Sequence, residues 1–77
     1  MSKQNMSLTP LQRKLTNTVR QMRRSKGMSQ LKLALSIGVA RSRISSIESG
    51  KVSYSLVNLE NISQVFHCSM KDFFPND

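Results

Sequence analysis

The segment SQLKLALSIGVARSRISSIESGK, residues 29–51, decides the fold of this chain. Its apolar residues recur at about every third or fourth position, the spacing of short helices that bury one face. Gly38 interrupts this pattern near the middle, where the chain can turn sharply because glycine adopts a positive φ cheaply. No acidic residue occurs in the chain before Glu48. The segment therefore predicts two short helices joined by a tight turn, on a surface without negative charge.

The charge of the whole chain is divided in the same way. The 77 residues carry a formal net charge of +8. Residues 1–47 contain ten Lys or Arg and no Asp or Glu, whereas residues 48–77 contain two basic and four acidic residues. A basic half predicts a polyanionic partner, first a nucleic acid and second an anionic membrane surface. The alternative is a merely solvated basic surface, since net charge also affects solubility.

Size and composition exclude several other classes of protein. A chain of this length forms one small domain with a thin core. Its one cysteine, Cys68, permits no internal disulfide and favours a reducing cytoplasm. Cys68 and its neighbour His67 are not expected to bind a metal, because adjacent residues rarely satisfy one ion. We expect no cofactor and no enzymatic activity, since neither a Ser/His/Asp set nor a phosphate-binding glycine loop is present.

No apolar run in the sequence approaches the ~20 residues of a membrane span. The polar start of the chain also lacks the apolar block of a secretory signal. These two features predict a cytoplasmic protein that is not inserted in a membrane, and a nucleic-acid ligand would make it nucleoid-associated, with no membrane partner.

The periodicity predicts an all-α domain of five helices over residues 9–77, preceded by a flexible N-terminal arm over residues 1–8. Thr9 is a hydroxyl cap for the first helix, and Pro10 occupies the first helical position, where its missing N–H costs nothing. Gly27 is expected to end this helix as a left-handed cap.

The remaining helices show similar start signals. Ser29 and Ser55 are the expected N-caps of the second and fourth helices. The third helix begins near Ala40, whose side chain cannot accept a capping hydrogen bond. Ser69 and Asp72 resemble a capping box at the start of a short last helix, MKDFF.

Residues 30–47 meet the requirements of a helix-turn-helix one after another. Ala34 is small where two helices must approach closely, and Gly38 lies where the chain turns. The next helix is anchored at a steep angle by three apolar residues, Val39, Ile44 and Ile47. The opposite face of that helix then points outward, as a rigid probe for the major groove of DNA.

The stretch MRRSKGMSQLKLALSIGVARSRISSIESGK, residues 22–51, resembles the Cro/repressor (Xre-type) helix-turn-helix family, and the resemblance covers roughly residues 11–74. It implies a five-helix, lambda-repressor-like domain that binds an inverted-repeat operator as a homodimer, with half-sites about 34 Å apart. Compact members of this family are phage or plasmid repressors, or controllers of restriction-modification operons that activate as well as repress. RNA polymerase is a further partner that such a regulator can contact at a promoter.

The resemblance also assigns the DNA contacts. Arg41, Ser42 and Ser46 match the positions that face base edges, and helical spacing adds Ser45 to this face. Arg41 is the main expected reader, because its guanidinium can bond guanine O6 and N7 together. The expected phosphate contacts are Ser29, Gln30, Lys32, Arg43, Lys51 and Tyr54. For the Tyr54 hydroxyl, exposure to solvent is the alternative.

Two structural roles complete the set that the resemblance implies. Arg23 and Glu48 match an ion pair between the first helix and the end of the third, which would explain why the first acidic residue stands there. The dimer surface is expected from the last two helices, where apolar residues outnumber the needs of a small core. Its expected residues are Leu59, Ile62, Phe66, Phe73 and Phe74. The three phenylalanines could instead lie in the core.

Two functions of other classes remain open on the sequence alone. An antitoxin-type subunit would bind another protein through its C-terminal half and would bind DNA only modestly. A basic surface binder of RNA or anionic lipid would show a steep salt dependence without preference among ligands. The ordered pattern of residues 30–47 favours the sequence-specific regulator over both.

Overall fold

The computed structural model describes residues 8–74. Within this range the chain forms four α-helices and no strand: α1 (Pro10–Ser25), α2 (Gln30–Ile37), α3 (Arg41–Glu48) and α4 (Leu56–Phe66). A 3-10 helix follows at Met70–Phe73. The all-α class is therefore confirmed. Residues 1–7 and 75–77 lie outside the described residues. The arm predicted over residues 1–8 falls there except for Leu8, so the predicted domain bounds remain a prediction.

The prediction of a fifth α-helix is wrong, because the last helical segment is a single 3-10 turn. Asp72 N–H donates to the Ser69 carbonyl at 3.0 Å, and Phe74 N–H donates to the Lys71 carbonyl at 3.1 Å. These i→i+3 bonds define the tighter helix, which is common in pieces of three or four residues. The Ser69 N–H donates to the Asp72 carboxylate at 3.0 Å. The predicted capping box is therefore present, but it starts a 3-10 helix.

The predicted caps explain where the long helices begin. Thr9 Oγ1 accepts the Gln12 N–H at 3.1 Å, and the Gln12 side chain accepts the Thr9 N–H at 2.9 Å, so α1 starts with a reciprocal capping box. Ser29 and Ser55 each accept a backbone N–H at 3.0 Å at the starts of α2 and α4. Ala40 precedes α3 without any side-chain cap.

A residue with positive φ follows each of the four α-helices, namely Gly27, Gly38, Gly50 and His67, so Gly27 ends α1 as predicted. Gly38 fixes the turn of the helix-turn-helix. Gly38 has φ 77° and ψ 33° at the end of α2. A Cβ added at Gly38 would meet no atom within 4 Å, so the backbone conformation alone calls for glycine here. His67 ends α4 at φ 56°, as the sole non-glycine residue with positive φ among residues 8–74. Histidine visits this region more readily than most residues.

One hydrophobic core joins all the helices. Ile44 and Ile47 anchor α3 in it, and both are essentially fully buried. Phe66 and Phe73 meet edge to face, with ring centroids 6.4 Å apart, so the 3-10 helix packs against the end of α4 in the core. The buried apolar residues are Leu15, Val19, Leu33, Ala34, Ile44, Ile47, Tyr54, Leu59, Ile62, Phe66 and Phe73.

The predicted dimer interface requires a correction. Leu59, Ile62, Phe66 and Phe73 are each at most 3% exposed within one chain, so their side chains have no surface to offer a partner. The thin core of a small domain uses all four of them. Phe74 is the one predicted interface residue that remains exposed.

Ala40 supplies a direct test of how α3 begins. Its backbone has φ −72° and ψ 147°, close to the conformation of the Ser29 cap at φ −77° and ψ 167°. Ala40→Ser should therefore stabilise the fold by about 0.5–2 kcal/mol, by adding the missing side-chain acceptor. Thermal unfolding would measure this gain. Ala40→Val, which adds bulk without an acceptor, is the control, and equal melting of the Ser and Ala proteins would contradict the prediction.

Candidate nucleic-acid interface

A buried ion pair joins α1 to the end of α3. Arg23 Nε donates to Glu48 Oε2 at 2.8 Å, and Arg23 Nη2 donates to Glu48 Oε1 at 2.9 Å. Both side chains are almost fully buried. Arg23 Nη1 also donates to the Met28 carbonyl at 2.5 Å. The guanidinium therefore holds α3 and the loop before α2 at the same time, in the bidentate geometry that suits a carboxylate.

The ion pair keeps Glu48 ionised despite its burial. Desolvation alone would raise the pKa of Glu48, but hydrogen bonds from Arg23 and Gln30 and the charges of Arg23 and Arg20 outweigh it. The pKa of Glu48 in the folded protein is therefore lowered. A lowered folded-state pKa gives stability that is present at neutral pH and is lost as the pH falls through that pKa.

Gln30 connects this ion pair to the start of α3. Its Nε2 donates to Glu48 Oε1 at 3.0 Å, and its Oε1 accepts Arg41 Nη1 at 3.0 Å. The reverse orientation of the amide would set its oxygen against a carboxylate and its NH2 against a guanidinium, so chemistry fixes the orientation. Arg23, Glu48, Gln30 and Arg41 thus form one hydrogen-bonded network across α1, α2 and α3.

The outward face of α3 carries the residues predicted to read bases. Arg41 and Ser42 are exposed, and Ser45 and Ser46 are half-buried. Ile44 and Ile47 hold the opposite side of the helix in the core. Arg41 stands at the first position of α3, so its guanidinium lies at the helix end that this motif presents to the major groove.

Four of the residues predicted to contact phosphate are exposed around this face. Ser29 and Lys32 lie at the start of α2, Arg43 is on α3, and Lys51 follows α3. Gln30 is half-buried, and both ends of its amide already take part in the network, which leaves it one N–H for a phosphate.

Tyr54 does not lie where the sequence placed it. The residue is 6% exposed, and its hydroxyl is buried without a hydrogen-bond partner. Burial raises the pKa of this hydroxyl, and the nearby Glu48 carboxylate raises it further. A phosphate contact through a buried hydroxyl would need the core to open, so both the phosphate assignment and the solvent alternative for Tyr54 are wrong.

Sequence reasoning missed the double use of Gln30. The resemblance marked it as a phosphate contact, whereas the structure gives it Arg41 and Glu48 as partners. It also missed the bond from Gln12 Nε2 to Ser53 Oγ at 3.4 Å, which ties α1 to the loop before α4. The contact between Gln30 and Arg41 could partly have been predicted, because both residues begin a helix of the same helix-turn-helix. The bond between Gln12 and Ser53 joins residues 41 positions apart and has no local signal.

Other kinds of site have little support in the described part of the chain. Residues 8–74 contain no group of three His, Cys, Asp or Glu side chains that could hold a metal ion. Over the same residues, none of the helices combines the length and the apolar character needed to cross a bilayer.

The fold and this network define a DNA-binding helix-turn-helix domain. The model of the helix-turn-helix family matches residues 19–73, and the chain belongs to that family. The resemblance to Xre-type regulators that the sequence suggested is thereby confirmed. The chain is a DNA-binding transcriptional regulator of this type, and the family is not a class of enzymes.

Solved structures agree with this assignment. The chain is 31% identical to the restriction-modification controller protein C.AhdI from Aeromonas hydrophila, with a TM-score of 0.73 over 79% of this chain and 92% of that one. It is 32% identical to the N-terminal DNA-binding domain of SinR from Bacillus subtilis, with a TM-score of 0.74 over 84% and 96%. C.Esp1396I bound to a 25 base pair operator site is 29% identical, with a TM-score of 0.75 over 86% and 87%. Comparison with curated proteins gave no match.

Replacement of Glu48 tests the role of the ion pair in stability. Glu48→Gln leaves the Arg23 guanidinium buried without its counter-charge, and breaking a buried pair in this way typically costs about 3–5 kcal/mol. A domain of this size should then melt at least about 10 °C lower. Glu60→Gln, the same change at an exposed position of α4, is the control. Equal melting temperatures of the two variants would show that the pair does not stabilise the fold.

Proposed function

We propose that this regulator is a repressor that binds an inverted-repeat operator as a homodimer, including at its own promoter. The observation that carries the proposal is the position of Arg41, which is exposed at the start of α3 and oriented by Gln30. An oriented guanidinium loses less conformational freedom on binding than a mobile one. The duplex in the nucleoid is its ligand, and the cytoplasm is its compartment.

In the proposed complex α3 enters the major groove with its first residues against the base edges. Arg41 bonds guanine O6 and N7, and Ser42, Ser45 and Ser46 contribute single hydrogen bonds. Ser29, Lys32, Arg43 and Lys51 contact phosphates, which fix the register of the domain without reading sequence. Each half-site therefore contains at least one guanine opposite Arg41.

A controller of restriction-modification genes is the second candidate, and the structural neighbours favour it. Two of the proteins with similar folds, C.AhdI and C.Esp1396I, are restriction-modification controllers. Such a controller activates as well as represses, and activation would bring RNA polymerase into contact with the bound protein. The operator sequence and the genes beside it would distinguish this candidate from a phage or plasmid repressor.

Selection of bound duplexes from a random DNA pool at near-physiological salt tests the proposal. The expected result is enrichment of an inverted repeat with half-sites about one helical turn apart. Retention of DNA at low salt without any enrichment would leave only electrostatic binding. That result would overturn the sequence-specific function and favour the antitoxin-type or general-binder alternatives.

Arg41→Ala tests the base-reading role directly. The variant should lose about 1–3 kcal/mol of preference for the enriched half-site over one in which guanine is replaced, because the bidentate contact is gone. Lys71→Ala removes an exposed charge on the 3-10 helix and should keep the full preference. Titration of both variants against the two duplexes measures this. If Arg41→Ala weakens binding to both duplexes equally, Arg41 contacts phosphate instead.

The surface proposed for the homodimer lies where α4 begins. Val52, Leu56 and Val57 are 40%, 66% and 63% exposed. Residues 52–70 contain a single charged side chain, Glu60, so two copies with a net charge of +8 can approach here with little repulsion. This apolar surface replaces the buried residues that the sequence suggested.

Charge placed on this surface should separate the subunits. Leu56→Asp/Val57→Asp is expected to sediment as a monomer at concentrations where the unmodified protein is a dimer, because desolvation of two carboxylates in each subunit would oppose association. Leu11→Asp, at an apolar position of α1 that is 59% exposed, should leave the dimer intact. A dimeric double variant would place the interface elsewhere, and a monomeric unmodified protein would remove the homodimer altogether.

A further inference from the structure

Three arginines of α1 lie in line on a face of the helix that does not include Arg23. Arg13, Asn17, Arg20 and Arg24 follow one another at spacings of four, three and four residues. At 100° per residue, these positions fall within an arc of about 60°. We call these three arginines the α1 stripe. Arg13 and Arg24 are exposed and Arg20 is half-buried, so all three can reach a ligand outside the protein.

The α1 stripe borders the end of the recognition helix. Arg13 and Asn17 line an open cavity whose other side is formed by Glu48, Ser49 and Gly50, at the end of α3. The residue before Arg24 is Arg23, which is bonded to Glu48. The charge of Arg20 also lowers the pKa of Glu48, so the stripe borders the C-terminal end of the helix that carries Arg41.

No acidic residue of α1 pairs with the stripe, and the Glu48 carboxylate at the end of α3 attracts only Arg20 among its members. The helix contains no acidic residue, and like charges four residues apart, such as Arg20 and Arg24, destabilise a helix. Asn17 Oδ1 accepts Arg20 Nη2 at 2.9 Å, which holds the Arg20 guanidinium along the stripe without neutralising it. Like charges at this spacing suit an anionic ligand beside α3.

We infer that the α1 stripe is a second phosphate-binding surface, which contacts the backbone of duplex DNA next to the base pairs read by α3. This inference rests on the proposed function. Arg13 and Arg24 are eleven residues apart, or about 16 Å along the helix. A duplex carries roughly one phosphate charge per 1.7 Å of its axis, so several phosphates lie within reach of this length.

Two basic residues elsewhere provide a matched comparison. Lys26 Nζ lies 5.5 Å from the centroid of the Phe66 ring, on the side of the domain that carries α4. Lys71 is exposed on the 3-10 helix. The stripe variant, Arg13→Gln/Arg24→Gln, therefore removes two charges from the stripe. The Lys variant, Lys26→Gln/Lys71→Gln, removes the same number of charges from outside it.

The salt dependence of binding tests the inference. Affinity for the selected duplex and for a scrambled duplex is measured between about 50 and 200 mM salt. The stripe variant should reduce the magnitude of the slope of log K against log salt by about 1.8 per bound subunit, or 0.9 for each lost phosphate contact, on both duplexes. It should keep the preference between the duplexes, and the Lys variant should match the unmodified protein.

Equal slopes for the stripe variant and the unmodified protein would overturn the inference, as would an equal fall in the Lys variant. If the unmodified protein prefers neither duplex, the proposed function fails, yet the slopes still decide whether the stripe binds phosphate. Melting of both variants checks their folding.

Phosphate ethylation of the selected duplex gives a second measurement on the unmodified protein. Interference is expected at phosphates flanking the half-site, and its confinement to phosphates within the half-site would contradict the inference.

Discussion

The carboxylate of Glu48 is the group on which the DNA-binding arrangement depends. It accepts two hydrogen bonds from Arg23 and one from Gln30, and Gln30 in turn accepts one from Arg41. The core fixes the position of α3 through Ile44 and Ile47. The Glu48 network fixes its relation to α1 and α2, so Arg41, which we propose to read bases, and the ion pair that joins α1 to α3 share one set of bonds.

The charge pattern of the chain follows from this arrangement. A surface that approaches phosphates excludes carboxylates, and the acidic residue nearest to it is one that Arg23 and Gln30 fully engage. Self-association has the opposite requirement, because copies with a charge of +8 repel each other. The nearly uncharged start of α4 meets that requirement. In the proposed complex, the two halves of the sequence therefore face different partners, DNA and a second copy of the chain.

Much of this could be predicted from the sequence where the signal was local. The turn at Gly38, the cap at Gly27 and the uncapped Ala40 each follow from residue type and position along a helix. Tyr54 could not be placed in this way, because its burial depends on how the loop after α3 packs. The buried Leu59 and Phe73 were assigned to a dimer interface because the sequence does not show how much apolar surface a single chain buries in its own core. The 3-10 turn followed a correct capping signal, but its length of four residues favoured i→i+3 bonding.

A double-mutant cycle between Gln30 and Arg41 tests most directly whether the network serves recognition. The free energy that separates the preferred duplex from a scrambled one would be measured for Gln30→Ala, Arg41→Ala, the double variant and the unmodified protein. If Gln30 orients Arg41, the losses are not additive, and the coupling lies between about 0.5 and 3 kcal/mol. Additive losses would mean that the two residues act independently on DNA, and the link from Glu48 to base reading would be contradicted.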